Sequence, residues 1–251
     1  MMAGMKRASD SGPLHVSWAP EREKKSSGVA ASVRGISKRF KKVQVLEDVS
    51  FDVAEGESLV LLGASGSGKT TILRIIAGLE QPDNGYVILH GKDVTDLPAR
   101  ERGVGVIFQS YALFPRMTVE KNIGYGLKIR HRPRKERRET VDRLIELVQL
   151  EQHRKKYPWQ LSGGQQQRVA IARSLVNDPQ VILADEPTGN LDSRTSDEIM
   201  HMLADLNRAG KTIIMVTHEN DIAAWARRVV RMRDGMVESD VRNDERAFAR
   251  A

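Results

Sequence analysis

The stretch Gly63-Ala64-Ser65-Gly66-Ser67-Gly68-Lys69-Thr70 matches the pattern G-x-x-x-x-G-K-S/T and is called the phosphate loop below. Its glycines permit backbone angles that turn successive N–H groups inward around phosphate oxygens, and a following helix adds its positive N-terminal end. Lys69 is expected to reach the β and γ phosphates, and the Thr70 hydroxyl to bind Mg²⁺. The alternative is an accidental glycine-rich turn. In such a turn Lys69 and Thr70 would have no comparable role. The stretch therefore predicts a nucleoside triphosphate site.

The residues around the phosphate loop have the pattern of a parallel α/β sheet. Ser58 to Leu62 is a continuous apolar run, which is typical of a strand covered on both faces, and Thr70 to Ala77 is predicted to be a helix that ends at Gly78. Further strand-like runs alternate with helical segments such as Ser196 to Leu206, which indicates a parallel sheet. These runs are Val104 to Phe108, Val181 to Ala184 and Thr212 to Val216.

Two regions depart from this alternation. Val49, Phe51 and Val53 alternate with polar residues, as in a strand with one covered face, and together with Tyr86 to Leu89 they predict a small antiparallel lobe. Between Gln109 and Pro179 the apolar residues recur at helical spacing. That region is predicted to be a helical insertion.

Composition is that of a globular protein with one sizeable core. The chain has 251 residues, of which 40% are apolar and 29% charged, and it contains no cysteine, which excludes disulfides and thiolate metal sites. No run approaches the roughly 18 apolar residues that span a bilayer, and the N-terminus lacks the apolar segment of a secretory signal. We expect a flexible extension over residues 1–30, one domain over 31–240 with its helical part at about 110–178, and a tail over 241–251.

The net charge of +7 suits nucleic acid, an anionic lipid surface or a nucleotide, since all three are polyanions. Much of the excess lies in what is called the basic run below, residues 128–138. It contains Lys128, Arg130, Arg132, Arg134, Lys135, Arg137 and Arg138. Its simplest interpretation is a solvated loop and helix face.

Two adjacent acids, Asp185 and Glu186, follow the apolar run Val181 to Ala184. Open α/β sheets place their ligand chemistry at the carboxyl ends of parallel strands. Asp185 is expected to hold Mg²⁺, and Glu186 to polarise the attacking water. The alternative is that one of these acids only caps the turn at Pro187.

A second candidate anion site lies at Leu161-Ser162-Gly163-Gly164-Gln165, which precedes a predicted helix and is called the signature below. Ser162 and Gln165 have the spacing of a capping box, and the two glycines leave the helix N-terminus open to a close-approaching anion. One loop already serves the phosphates. The signature therefore suggests either a second anion site or a half-site used by another copy of the chain.

Taken together, the motifs resemble those of the ATPase subunits of the ABC (ATP-binding cassette) family, from about Ala31 to Ser239. The resemblance implies a P-loop NTPase with a mainly parallel, RecA-like core sheet, a small antiparallel β lobe and a helical subdomain that carries the signature. In family order the matching motifs are the phosphate loop, Gln109 after its strand, the signature, and Asp185-Glu186 followed by Asn190-Leu191-Asp192 and His218.

The resemblance also implies roles for single residues. Phe40 would stack on adenine, Gln109 would touch Mg²⁺ and the attacking water, His218 would contact the γ phosphate, and the signature would complete the ATP site of the opposite subunit. A core aromatic and a structural histidine are the alternatives for Phe40 and His218. The implied catalytic residues are Glu186, His218 and Gln109; the metal ligands are Thr70, Gln109 and Asp185; the nucleotide contacts are Phe40, Gly63, Ala64, Ser65, Gly66, Ser67, Gly68, Lys69, Thr70, Thr71, Ser162, Gly163, Gly164, Gln165 and Asp192.

By the same resemblance, the chain would bind and hydrolyse ATP with Mg²⁺ and form an ATP-dependent dimer, with a second copy as the expected partner. It would drive translocation through separate integral membrane subunits from the inner face of the plasma membrane. Tyr111 to Leu127 would contact those subunits, or would be plain core. The alternatives are an ABC ATPase of a non-transport membrane complex, for cell-wall control or lipoprotein extraction, and a nucleic-acid-associated ABC ATPase; no nucleic acid is expected as a partner.

The direction of transport stays open at this level. Phe108 to Val119 resembles importer subunits, whereas Ala184 to Asp192 resembles the lipoprotein-release and macrolide-efflux type.

Overall fold

The computed structural model describes residues 28–243. The expected extension over 1–30 and the expected tail over 241–251 therefore lie almost wholly outside the described residues. Regular structure begins at Val29 rather than at residue 31 and ends at Arg242 rather than at residue 240. Within residues 28–243, no helix has the length and apolar character needed to cross a bilayer.

Ten strands and seven α-helices make up the described part of the chain. The strands are β1 (Val29–Phe40), β2 (Val43–Ala54), β3 (Ser58–Leu62), β4 (Asn84–Leu89), β5 (Lys92–Asp93), β6 (Val104–Ile107), β7 (Val181–Asp185), β8 (Thr212–Thr217), β9 (Arg228–Arg233) and β10 (Met236–Arg242). The helices are α1 (Lys69–Ala77), α2 (Val119–Ile123), α3 (Tyr125–Ile129), α4 (Arg134–Leu147), α5 (Gly163–Leu175), α6 (Ser193–Arg208) and α7 (Asn220–Ala223). Short 3₁₀ turns lie at Ala99–Glu101, Glu151–His153 and Pro158–Gln160.

The larger sheet has the strand order β10-β9-β3-β8-β7-β6. Five of these strands run parallel, and β10 pairs antiparallel with β9 at one edge. Strands β3, β7 and β8 are buried along their whole length, as their continuous apolar sequences predict. The parallel α/β sheet expected from the sequence is confirmed.

The smaller sheet has the order β2-β1-β4-β5 and is antiparallel throughout, which confirms the predicted lobe. No pattern in the sequence predicted β1, β5, β9 or β10. In β9 and β10 the reason is visible, because charged residues interrupt their apolar alternation and most of β10 is exposed.

The larger sheet separates two hydrophobic cores. Side chains alternate across β3, so that Leu59 and Leu61 join one core while Val60 and Leu62 join the other. The first core also contains α1 and the smaller sheet; the second contains the apolar faces of α2, α4, α5 and α6. The helices on each face are therefore packed against the larger sheet. The order and direction of its strands determine where the strand ends lie.

The helical insertion between β6 and β7 is confirmed, with α2, α3, α4 and α5 in that interval. Val119 and Leu127 are buried in its core, while Leu113 and Phe114 are only partly buried. Asn122 is fully buried, and its side chain accepts from Phe114 N at 2.8 Å and donates to Met117 O at 3.0 Å. This side chain ties the segment that precedes α2 to the helix.

Candidate functional site

The phosphate loop joins the end of β3 to the start of α1, as the sequence predicts. Gly68 has a φ of 94°, and a Cβ at this position would lie 2.8 Å from Val45 O, so only glycine fits. Gly68 is also the N-cap of α1, and no side chain caps that helix. The backbone N–H groups of the first turn are therefore available to an anion.

Lys69 is buried beside the loop that precedes it. Its Nζ donates to Ala64 O at 2.7 Å and lies 3.4 Å from Ser67 Oγ. Burial lowers the pKa of Lys69, and the nearby carboxylates of Glu186 and Asp185 act in the opposite direction. The ammonium group is thus held close to the backbone groups that would surround a phosphate.

Thr70 and Asp185 meet although 115 residues separate them in the sequence. Thr70 Oγ1 donates to Asp185 Oδ1 at 2.9 Å, and Asp185 is the last residue of β7. Burial raises the pKa of Asp185, an effect that the Thr70 hydrogen bond opposes. A hydroxyl and a carboxylate are the oxygen ligands that Mg²⁺ prefers, and Mg²⁺ commonly takes only one or two protein ligands beside phosphates and water. The pair therefore fits the expected ion.

Glu186 lies between two other candidate residues. Its Oε2 accepts from Gln109 Nε2 at 2.9 Å, and its Oε1 lies 3.1 Å from His218 Nδ1. Gln109 follows β6, Glu186 follows β7 and His218 follows β8. These strands are adjacent and parallel, so their carboxyl ends share one edge of the sheet.

The backbone of Glu186 is unusual for a residue with a side chain. Its φ is 43°, in the left-handed region, and its N–H donates to Val216 O at 3.0 Å. Such conformations persist where the surroundings enforce them and are frequent at functional sites. The carboxylate is bonded to Gln109 and His218, so the alternative in which Glu186 only caps the turn at Pro187 does not describe this structure.

The segment after Gln109 is also held in place. Tyr111 and Ala112 have positive φ angles of 60° and 48°, and Arg173 donates to the carbonyl oxygens of both residues, at 3.0 and 2.6 Å. Asn190 Nδ2 donates to Gln109 O at 2.9 Å. Arg173 and Asn190 carry no signal in the sequence that links them to Gln109, because more than 60 residues separate each from this segment.

Ser162 and Gln165 form the predicted capping box at the start of α5. Ser162 Oγ accepts from Gln165 N at 3.3 Å, and Gln165 Oε1 accepts from Ser162 N at 3.1 Å. A Cβ on Gly164 would collide with Thr195 Cγ2. Within residues 28–243, the side-chain hydrogen bonds of Ser162 and Gln165 are to one another and to His153, and none reaches the phosphate loop.

Phe40 and Asp192 differ in how the structure places them. Phe40 ends β1 and is 44% exposed, with Lys38 Nζ 5.2 Å from its ring centroid, so it is not a core aromatic. Asp192 is the N-cap of α6: its Oδ1 accepts from Thr195 N at 3.0 Å, and its Oδ2 accepts from Thr195 Oγ1 at 2.7 Å. Asp192 therefore has a structural task within the single chain.

A cavity of about 380 Å³ lies beside the phosphate loop and was not foreseen from the sequence. Its walls combine residues 62–67 with the hairpin of β9 and β10, including Arg231, Arg233, Asp234 and Glu238. No motif marks these residues, since they reach the loop only because β9 pairs with β3.

A larger cleft, called the basic cleft, measures about 760 Å³ and lies among α2, α3 and α4. Its apolar members include Met117, Tyr125 and Val141. Its basic members are Arg116, Lys121, Lys128, Arg134, Arg137, Arg138 and Arg154. Part of the basic run therefore lines a concavity, whereas Lys135 is outside it and has an 89% exposed side chain, as the solvated interpretation predicts.

Comparison with known proteins gives one family and many relatives. The sequence profile of the family described as "ABC transporter" matches residues 46–189. The sulfate/thiosulfate import ATP-binding protein CysA of Mesorhizobium japonicum is 47% identical over 212 residues, which is 82% of this chain and 61% of that protein. The spermidine/putrescine import ATP-binding protein PotA of Oleidesulfovibrio alaskensis is 47% identical over 208 residues, 82% of this chain and 56% of that protein. The chain thus spans about three fifths of the length of these relatives.

Solved structures with the same fold include cassettes from ABC transporters. The dimeric structure of the ATP-binding cassette MJ0796 bound to ADP and Pi has a TM-score of 0.78 and 36% identity, and the match covers 84% of this chain and 98% of that one. The ADP conformation of the cassette MJ1267 has a TM-score of 0.77 at 25% identity, covering 87% of this chain and 93% of the other.

Proposed function

The chain belongs to the ABC transporter family of ATP-binding domains, and on that premise we propose that it is the ATP-hydrolysing subunit of a transport complex. One observation carries the proposal: Glu186, held between Gln109 and His218, lies at the same sheet edge as the Thr70–Asp185 pair and the phosphate loop. This arrangement combines a phosphate cradle, a place for Mg²⁺ and a carboxylate able to accept a proton from water.

The phosphate loop and Lys69 bind and orient the triphosphate. Backbone N–H groups at the uncapped start of α1 donate to phosphate oxygens, and the Lys69 ammonium exchanges its bond to Ala64 O for phosphate oxygens. Thr70 and Asp185 would hold Mg²⁺, and the ion would supply positive charge that offsets the charge developing on the phosphate oxygens. The exposed ring of Phe40 offers a face on which adenine stacks.

Glu186 is the proposed general base. A carboxylate accepts hydrogen bonds only, so the Gln109 amide and His218 Nδ1 act as donors toward it and fix its two oxygens. Held in this way, Glu186 accepts the proton of a water molecule as that water attacks the γ phosphorus, while the bond from the γ phosphorus to the bridging oxygen of the β phosphate breaks and ADP leaves. Gln109 orients the carboxylate and the water, and His218 contacts the γ phosphate.

A second copy of the chain is the proposed dimer partner. Ser162 Oγ already accepts from Gln165 N, and its O–H remains able to donate to a phosphate oxygen. Because Ser162 makes no hydrogen bond to the phosphate loop among residues 28–243, we assign it, with Gly163, Gly164 and Gln165, to the ATP bound by the partner copy. Asp192, at the start of α6, is placed at the same composite site.

Separate membrane subunits are the other proposed partners. The basic cleft, which includes Met117 and Tyr125 from the segment Tyr111 to Leu127, is a concave surface with apolar and cationic groups. We assign the contact with the membrane subunits to this cleft, and we propose that the chain lies on the inner face of the plasma membrane. CysA and PotA are named as import proteins, which favours import over lipoprotein extraction, cell-wall control or a nucleic-acid role.

Substitution of the proposed base tests both hydrolysis and dimer formation. Glu186→Gln should lower the turnover of ATP by roughly 10²- to 10⁴-fold, because an amide cannot accept the proton. With hydrolysis blocked, ATP and Mg²⁺ should convert the chain from monomer to dimer in light scattering. Glu219→Gln, at an exposed neighbour of His218, is the matched control and should change neither property.

Two outcomes would contradict the proposal. Turnover by Glu186→Gln close to that of the unmodified chain would exclude Glu186 as the base. Failure of Glu186→Gln to form a larger species with ATP and Mg²⁺, when it binds ATP normally, would exclude the shared site.

A further inference from the structure

His153 contacts the signature from the turn that precedes it. It ends the 3₁₀ turn Glu151–His153, and its Nε2 lies 3.0 Å from Gln165 Nε2. The side chain is half-buried, and its Nδ1 is buried without a hydrogen-bond partner among residues 28–243. Neither the sequence motifs nor the proposed chemistry uses this histidine.

The direction of the His153–Gln165 hydrogen bond follows from the other end of the Gln165 amide. Gln165 Oε1 accepts from Ser162 N at 3.1 Å, so the amide nitrogen is the atom that faces His153. An amide nitrogen donates and does not accept, so His153 Nε2 must be the acceptor. The imidazole is therefore neutral and carries its proton on Nδ1.

This tautomer is costly for the fold. It leaves the buried Nδ1–H without a partner, whereas an apolar side chain of similar size would leave no donor unsatisfied. With this tautomer, both ends of the Gln165 side-chain amide are hydrogen-bonded, the oxygen to Ser162 N and the nitrogen to His153. The capping box is then tied to the preceding turn as well as to α5.

We propose that His153 is a positioning residue for the composite ATP site: its neutral imidazole holds Gln165, and through Gln165 it holds Ser162 in the conformation that binds the γ phosphate on a second copy. The inference rests on the proposed function, because Ser162 has this task only in a dimer. His153 touches neither nucleotide nor Mg²⁺. Its effect is on the closed dimer and not on the binding of ATP to the chain's own phosphate loop.

The test compares three variants in the Glu186→Gln background. His153→Phe keeps a ring but removes the acceptor, His153→Gln restores an acceptor oxygen, and His201→Phe is the control because a phenyl ring preserves the edge contact with Trp225. Light scattering measures the dimer formed with ATP and Mg²⁺, and equilibrium binding at low protein concentration measures the affinity of the monomer for ATP.

His153→Phe should weaken ATP-driven association about three- to tenfold, the equivalent of one hydrogen bond, and leave the affinity of the monomer for ATP unchanged. His153→Gln should recover most of the association, and His201→Phe should behave as the parent. If His153→Phe does not fold, His153→Lys replaces it, since its flexible ammonium reaches solvent and cannot accept a hydrogen bond.

Normal association of His153→Phe would overturn the positioning role, and so would an equal loss of association and of monomer affinity, which would indicate a general structural defect. A parent that binds ATP but never dimerises would overturn the composite site itself, and with it this inference. The two failures are therefore distinguishable.

Discussion

At the scale of one residue, the stability of the fold and the proposed function favour different charge states of Asp185. It is buried at the end of β7, where removal from water disfavours its charged form and raises its pKa. The Thr70 hydroxyl, and the charges of Arg74 and Lys69, partly offset that effect. A neutral side chain would suit the fold better, whereas the proposed binding of Mg²⁺ requires the carboxylate.

Asp185→Asn should therefore stabilise the nucleotide-free chain and abolish Mg²⁺-dependent hydrolysis. The expected gain at pH 7.5 is about 1 kcal/mol, or roughly 2 to 4 °C in Tm, because a buried ionised group is removed. Since the folded chain raises the pKa of Asp185, it holds the proton more tightly than the unfolded chain does. Stability consequently falls as pH rises through the window between the ordinary and the raised pKa.

The gain from Asp185→Asn should shrink as pH falls below the raised pKa, where Asp185 is already neutral. Thermal unfolding at several pH values measures this dependence, with the exposed Asp221→Asn as the control. A lower Tm of Asp185→Asn at pH 7.5 would show that the carboxylate stabilises the apo fold, contrary to this account.

Helix α4 presents a similar conflict at the scale of one element. Val141, Leu144 and Ile145 bury one of its faces, but its N-terminal turns carry Arg134, Lys135, Arg137 and Arg138. Cations at a helix N-terminus are unfavourable for the helix dipole. Pairs such as Lys135 with Glu139 compensate only in part, because they are exposed. The placement of Arg134, Arg137 and Arg138, which line the basic cleft, is thus explained better by what the cleft binds than by the stability of α4.

Charge reversal at two neighbouring positions separates helix stability from docking. Arg134→Glu and Lys135→Glu should both make the interaction of the side-chain charge with the helix dipole slightly more favourable. Of the two residues, only Arg134 lines the basic cleft. We expect Arg134→Glu to lower the recovery of membrane subunits after gentle solubilisation about three- to tenfold, while Lys135→Glu leaves it unchanged. Equal losses in both variants would indicate a general charge effect, and no loss in either would place docking elsewhere.

At the scale of the whole molecule, the two groups of residues that we assign to one composite ATP site lie in different parts of the fold. The phosphate loop, Asp185, Glu186 and His218 lie at the strand ends, whereas the signature starts a helix of the insertion between β6 and β7. Among residues 28–243, the side-chain hydrogen bonds of Ser162 and Gln165 do not reach the phosphate loop, Asp185, Glu186 or His218. A two-fold symmetric pairing of two copies would unite each phosphate loop with the partner's signature.

Mixing two inactive variants tests this pairing directly. Lys69→Ala removes the lysine that we propose binds phosphate, and Ser162→Arg blocks the N-terminus of α5. A mixed dimer would contain one intact phosphate loop facing one intact signature, so equal amounts should recover up to about a quarter of the activity if copies associate at random and sites act independently. ATP hydrolysis by the mixture, compared with each variant alone, is the measurement.

The control for this experiment mixes Lys69→Ala with Glu186→Gln. Both changes lie in the same half-site, so no intact site can form in a mixed dimer, and no activity should return. No recovery in the test mixture, when mixed dimers are present, would show that the signature acts on its own chain. Recovery in the control would show that activity returns without an intact pair of half-sites, and the test mixture would then not support the shared site.

Local patterns were sufficient for the elements that interact over a few residues. The phosphate loop, the capping box of Ser162 and Gln165, the buried strands β3, β7 and β8 and the helical insertion all follow from spacing and composition. Their physical basis is short-range, since glycine angles, helix caps and apolar periodicity depend on neighbours along the chain. The resemblance in these motifs also indicated the family.

The family resemblance assigned distant residues to one site, but only the tertiary structure decided which of their atoms meet. Thr70 is hydrogen-bonded to Asp185, and Glu186 lies between Gln109 and His218. Part of the basic run lines a cleft. His153 and the hairpin of β9 and β10 carried no signal at all. These contacts arise because parallel strands far apart in sequence end at one edge and helices pack across them, and such long-range geometry is not encoded in the spacing of any single segment.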